Sequence, residues 1–316
     1  MLIRTTTLVL ALSALTVACG RERAPAPAAS ASADSSPPAP TPPDVVEGFK
    51  HPESARYDPE LDVWFVSNIN GDPFAEDDNG FISRLKGDGS VDSLEFIAGG
   101  RNGVTLNAPK GMAITGDTLW VADADVVRAF DRRTGASLAN VSLKGRARFL
   151  NDVAAGPDGV YITDSGFGKD DKGGMAHQGP DQIFRVSGGK AMLVFKGSAL
   201  AAPNGIAWDS AGGRFIVGPF GGKTMQAWHP GETKLTPLAE TPGQTDGLEV
   251  LAGGRILFTS WADSTLDVLE NGKVTPIGAK LPSPADIGVD TRRGRVAIPQ
   301  LMLDQVTFRP LPASTP

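Results

Sequence analysis

Five side chains in this sequence have the types and spacing to share a chemical site. Glu53, Lys110, Asn151, Asn204 and Asp246 each hold the second place of a short phrase that recurs six times, and Ala285 holds that place in the sixth copy. Two carboxylates and two carboxamides are hard oxygen ligands, which suit Ca²⁺, Mg²⁺ or Mn²⁺ better than a soft metal. Zinc of the Cys/His type is disfavoured, because the only histidines are His51, His177 and His229 and no two stand at a ligand spacing. Lys110 is the misfit: at about 6 Å and an effective dielectric near 20, an ammonium and a divalent cation repel by roughly 5 kcal/mol. It must turn aside, pair with an acid such as Asp286, meet an anionic substrate, or replace the metal by pairing with Glu53. Asp152 and Asp286 stand one place beyond the second position in their copies. Either could steer water or bind substrate, or could simply bond to backbone amides as Asp does in turns.

The elements that must position these residues follow from the same repeat. Each copy precedes a β-rich run, at 63–67, 118–123, 160–164, 214–218, 255–260 and 295–300. The copies start about 40 to 57 residues apart, the period of a four-stranded propeller blade with occasional loop insertions. Apolar and polar residues alternate within the runs, and turn chemistry such as Gly116-Asp117 separates them. One blade traces as strands at 205–209, 214–218, 226–229 and 235–239. The sixth has 287–290, 296–299 and 305–309 and lacks a fourth strand, which residues 45–49 supply from the other end of the chain. The expected fold is therefore all-β: a six-bladed β-propeller of four-stranded blades, its ring closed by an N-terminal strand, leaving no open edge. Inner strands run along a central channel, so the second-position residues meet at its rim.

Segments 165–180 and 68–80 interrupt blades three and one on the rim side. The first is Gly-rich, contains His177, and resembles a lid in which that histidine could serve as a base or contact substrate. The second is an acidic loop, Asp72, Glu76, Asp77 and Asp78 among its residues, whose spacing matches no calcium loop. The five tryptophans stand in or beside predicted strands, where packing between blades accounts for them.

Pro52-Glu53-Ser54, Asn151-Asp152 with the following Pro157-Asp158-Gly159, Pro203-Asn204-Gly205 and Thr245-Asp246-Gly247 resemble the metal-site segments of the senescence marker protein, gluconolactonase and luciferin-regenerating enzyme family. The resemblance spans residues 45–310. It implies a six-bladed propeller holding a divalent cation, typically calcium, in the channel, with Glu53, Asn151, Asn204 and Asp246 as ligands. It also implies hydrolysis of a small lactone or related ester, with Asp246 as base or nucleophile. A function of another class stays open, a non-enzymatic propeller whose loops bind a protein or carbohydrate partner.

The first 43 residues belong to a different kind of chain. Arg4, an apolar run at 8–17 and the small-residue exit Ala18-Cys19-Gly20 have the pattern of a secretory signal. Cys19 is the only cysteine, so no intramolecular disulfide forms. The sequence Leu15-Thr16-Val17-Ala18-Cys19 resembles a bacterial lipoprotein signal, which implies a signal peptide over 1–18, lipidation of Cys19 and a membrane anchor in the cell envelope. Gly20 after the cysteine implies, by the same resemblance, the outer membrane facing the periplasm. Residues 19–43 are rich in Ala, Pro and Ser and read as an extended tether, and residues 44–312 as the propeller, a monomer acting on a small molecule. The net charge of −6, with no basic stripe, excludes nucleic acid as a partner.

Overall fold

The computed structural model describes residues 44–313. The signal, Cys19 and the tether expected from the sequence lie outside the described residues. No helix among the described residues is long and apolar enough to cross a membrane.

Six four-stranded antiparallel sheets form the blades of a β-propeller. Blades 1 to 5 begin with inner strands Pro52–Asp58, Pro109–Thr115, Leu150–Gly156, Pro203–Asp209 and Thr245–Val250, each followed outward by three more strands in chain order. Blade 6 takes Gly288–Asp290, Arg295–Gln300 and Gln305–Pro310 from the end of the chain, and Val45–Glu47 from the start. Val45 pairs with Thr307 and Glu47 with Gln305, so the N-terminal strand closes the ring as its position in sequence requires.

Packing follows from strand alternation. Successive side chains of a strand point to opposite faces, and both faces of a blade are covered by neighbouring blades. In the second strand of blade 1, Trp64 and Val66 pack with Phe308 of blade 6, whereas Phe65 packs with Leu119 and Val121 of blade 2. The same division recurs around the ring, as between blades 3 and 4, where Tyr161, Phe215 and Trp228 form one cluster. Each such side chain contributes about 1.5–3 kcal/mol on burial, so the six inter-blade cores hold the inner strands at fixed spacing around the channel.

Blade 6 departs from the others at its inner edge. Its regular inner strand has three residues, and the stretch before it bonds to its own blade through Ala285 N–H to Pro299 O at 2.9 Å and to blade 1 as well: Asp286 N–H donates to Glu53 O at 2.8 Å, and Ala55 N–H to Asp286 O at 3.1 Å. The ring is thus sealed at its inner edge as well as its outer one.

Candidate functional site

In blades 2 to 5 the inner strand breaks register with the second strand between its first and fourth residues, and in blade 1 between its first and third. Such a bulge bends the strand and re-aims a side chain. The bulged position is the second residue of each phrase, which is how Glu53, Lys110, Asn151, Asn204 and Asp246 come to line one cavity of about 430 Å³ at the channel mouth. All five are at least nine-tenths buried.

A hydroxyl of the second strand satisfies the freed backbone in alternate blades. Ser67 Oγ accepts from Ser54 N–H at 2.9 Å, Thr163 Oγ1 from Asp152 N–H at 2.9 Å, and Thr259 Oγ1 from Gly247 N–H at 3.0 Å. Thr163 then donates to Asn204 O at 2.7 Å and Thr259 to Ala285 O at 3.0 Å, tying each bulge to the next blade. Where the third residue is glycine, its neighbour comes very close. A Cβ on Gly111 would stand 2.4 Å from the Asp152 Cα, and one on Gly247 2.4 Å from the Asp286 Cα. These glycines make room for the two aspartates.

The rim side chains differ in how far they are satisfied. Asp246 Oδ2 accepts from Trp261 Nε1–H at 2.7 Å, while its Oδ1 is buried without a hydrogen-bond partner. Glu53 Oε2 is likewise buried and unpartnered. Asn151 donates its amide to Ser165 Oγ at 3.0 Å, which turns its carbonyl oxygen away from that contact. Burial, then the charges of Asp246 and Asp286, push the Glu53 carboxyl well above its ordinary range. Burial and the Asp286 charge do the same to Asp246, against the hydrogen bonds from Trp261 and Asn204. A cation at this mouth would relieve both, and two buried, unpartnered carboxylate oxygens beside two carboxamides fit a hard divalent ion. Among the described residues no three His, Cys, Asp or Glu side chains cluster as a metal group. The fit rests on this mixed set.

Of the options open to Lys110, the structure takes the first: it turns aside. Its ammonium donates to Ala108 O at 3.2 Å and lies 4.3 Å from the Phe149 ring centroid. Among the described residues it forms no ion pair within 4 Å, with Glu53, Asp286 or any other acid. Burial lowers its pKa, while Glu53 and Asp123 oppose the shift.

Three residues expected near substrate are placed elsewhere. Asp152 is 1 % exposed, and its two oxygens accept from Val153 N–H at 2.6 Å and Ile206 N–H at 2.7 Å, so it bonds to backbone across two blades. Asp286, also 1 % exposed, accepts from Ser54 Oγ–H at 2.5 Å and Arg56 Nη2 at 3.2 Å. Neither lines the mouth cavity. His177 sits on a two-stranded excursion, Phe167–Lys169 with Met175–His177, where its Nε2 is 2.6 Å from Asp181 Oδ1. That excursion does reach the mouth, but through Phe167 and Met175. The acidic loop of blade 1 meets it through an Asp72–Lys169 ion pair, and its Asp78 accepts from Leu106 N–H at 2.8 Å.

The sequence reading missed the apolar collar. Phe149, Phe167, Phe220 and Trp261 stand edge to face around the mouth, with successive ring centroids 5.8, 6.0 and 6.2 Å apart. Trp261 therefore meets its neighbour in blade 4 and also faces the mouth. Its signal was present: the first residue after the second strand is large and apolar in four blades, Ile69, Phe220, Trp261 and Leu301.

A second cavity of about 640 Å³ occupies the opposite mouth, lined by Arg56, Asp58, Glu60, Arg132, Trp208 and Glu249 among others. Its charges are paired. Arg132 Nη1 meets Asp58 Oδ2 at 2.6 Å and also binds Glu60, and Arg56 binds Glu249 and Asp286.

No protein-family model matches the chain, and no curated protein matches it in sequence. Solved structures do match in shape. One is an X-ray structure named as a "putative gluconolactonase", 18 % identical, with a TM-score of 0.61 over 85 % of this chain and 92 % of that one. At that identity the likeness establishes a shared propeller fold.

Proposed function

We propose that the protein is a divalent-metal-dependent hydrolase of a small lactone or related ester, with calcium as the metal and the rim cavity as its site. The observation that carries this reading is the pair of buried, unpartnered oxygens, Glu53 Oε2 and Asp246 Oδ1, at an apolar mouth. Burying carboxylate oxygens without partners is costly, so a fold that retains two of them in one cavity is built around a positive group. Lys110 is turned to a carbonyl and a ring and leaves both oxygens free. The fold shared with a structure named for gluconolactonase supports the same reaction class.

Glu53, Asn151, Asn204 and Asp246 would hold the cation, which when bound polarises an ester carbonyl and stabilises developing oxyanion charge. Trp261 fixes the Asp246 carboxylate through Oδ2. Its Oδ1, left without a hydrogen-bond partner, would take a proton from water. The water oxygen joins the acyl carbon, the carbon–oxygen ester bond breaks, and the proton passes to the leaving alkoxide. The aromatic collar excludes bulk water and strengthens each of these electrostatic contacts.

Metal content and thermal unfolding, with and without chelator, test the reading. Calcium at about 100 times its dissociation constant should stabilise the fold by about 2.7 kcal/mol. Glu53→Gln should abolish most of that gain. A chain that copurifies with no metal and unfolds identically in chelator and in calcium would sink the proposal.

A further inference from the structure

The walls of the rim cavity say which esters it takes. Resting on the hydrolase reading, we propose that the substrate is a lactone or ester bearing an apolar alkyl or aryl substituent, and that Phe149, Phe167, Phe220 and Trp261 select it over a polyhydroxylated lactone.

Apart from His51, the polar side chains that line the cavity are the rim residues, which meet at its floor. Above them the four rings form a continuous arc from blade 3 to blade 5. Blade 1 continues the wall with Ile69 and Pro73, and blade 6 with Leu301 and Met302. Met175 and Met302 are 52 % and 66 % exposed, so flexible thioethers stand at the entrance where a substituent would enter. Phe149 is held in the arc because its N–H donates to Asp164 Oδ1 at 2.9 Å, which fixes the backbone that carries the ring.

A substrate whose carbonyl reaches the floor must place the rest of itself against this wall. Alkyl or aryl carbon there leaves water for an apolar surface and gains binding. Ring hydroxyls placed there would lose water and find no donor or acceptor among the four rings, since the Trp261 N–H is already given to Asp246. An apolar pocket rejects an added hydroxyl by only about 10²-fold, so the selection expected here is modest in size.

Two measurements on the full chain with calcium test this. In the first, an alkyl-substituted δ-lactone and a polyhydroxylated δ-lactone are compared by kcat/KM, with the alkyl compound expected to lead by at least about tenfold. Phe220→Asn should narrow that ratio by raising KM for the alkyl lactone more than for the hydroxylated one. In the second, the alkyl-substituted δ-lactam, which is not hydrolysed, is titrated and followed by tryptophan fluorescence. Saturable quenching is expected, and Trp261→Phe should remove it. Binding of the lactam without turnover of either lactone would overturn the hydrolase reading and keep the apolar selection. Turnover with the hydroxylated lactone equal or better would overturn the selection and keep the hydrolase. Failure of the lactam to bind would overturn the selection outright.

Discussion

The two mouths of the channel are made by the two ends of the same inner strands, yet they differ in what their charges have to do. At the far mouth the cavity is larger, and each arginine that lines it with Asp58, Glu60 or Glu249 is already matched to an acid. At the rim mouth the cavity is smaller and walled by rings, and two acids keep an oxygen without a partner. The same strands supply both ends, so the difference comes from the bulge. Regular pairing at the far end leaves side chains free to meet across blades, whereas the bulge at the rim turns one residue per blade toward the axis. The larger cavity has its charges paired, whereas the smaller keeps two acid oxygens without a hydrogen-bond partner, and the proposed function rests on that difference.

Substitutions at matched positions break or sharpen this contrast. The largest effect is expected from Asp246→Asn, which should lower kcat on the preferred lactone by about 10² to 10⁴, the usual contribution of a general base. Glu249→Gln, at the far mouth, should leave kcat within about twofold, because it touches neither the rim residues nor the collar. Equal losses in the two variants would erase the distinction. Next comes stability. Arg132 and Asp58 form a buried pair, 3 % and 1 % exposed, so Arg132→Met strands a carboxylate and should cost about 3–5 kcal/mol in urea unfolding. Turnover per folded molecule should be unaffected. The smallest effect is expected from Lys110→Met. Removing an ammonium that repels a cation and has no acid within 4 Å should tighten calcium binding by about tenfold in a calorimetric titration. Weaker binding would show that Lys110 supports the site through packing on Phe149.

The rim was legible in sequence because a propeller repeats its strand order, so a residue's place in the phrase predicts its place around the axis. Glu53, Asn151, Asn204 and Asp246 were named on that ground, and they line one cavity. Asp152 and Asp286 were one residue too far along. Strand side chains alternate, and the next residue points into the seam between blades, where backbone amides and Arg56 take up the carboxylates. His177 pairs with Asp181 and touches Phe167 of the collar, a placement with no sequence signal because the irregular turns of an excursion give no period from which to infer direction. Trp261 was read as packing between blades, and it does meet Phe220 of blade 4, but its place at the mouth was not legible, since an aromatic beside a strand has the same local pattern whether it faces a neighbour or a mouth.

By itself the sequence determined the number of blades, the closure of the ring by a strand within residues 45–49 and the ligand-type composition of the rim, because each depends on order and period along the chain. Tertiary structure alone decided which oxygens remain unpartnered, that Lys110 leans on Phe149 instead of Glu53, and that rings from three blades close into one collar. Those outcomes depend on distances between residues far apart in sequence, and such distances are set by how six sheets pack around an axis.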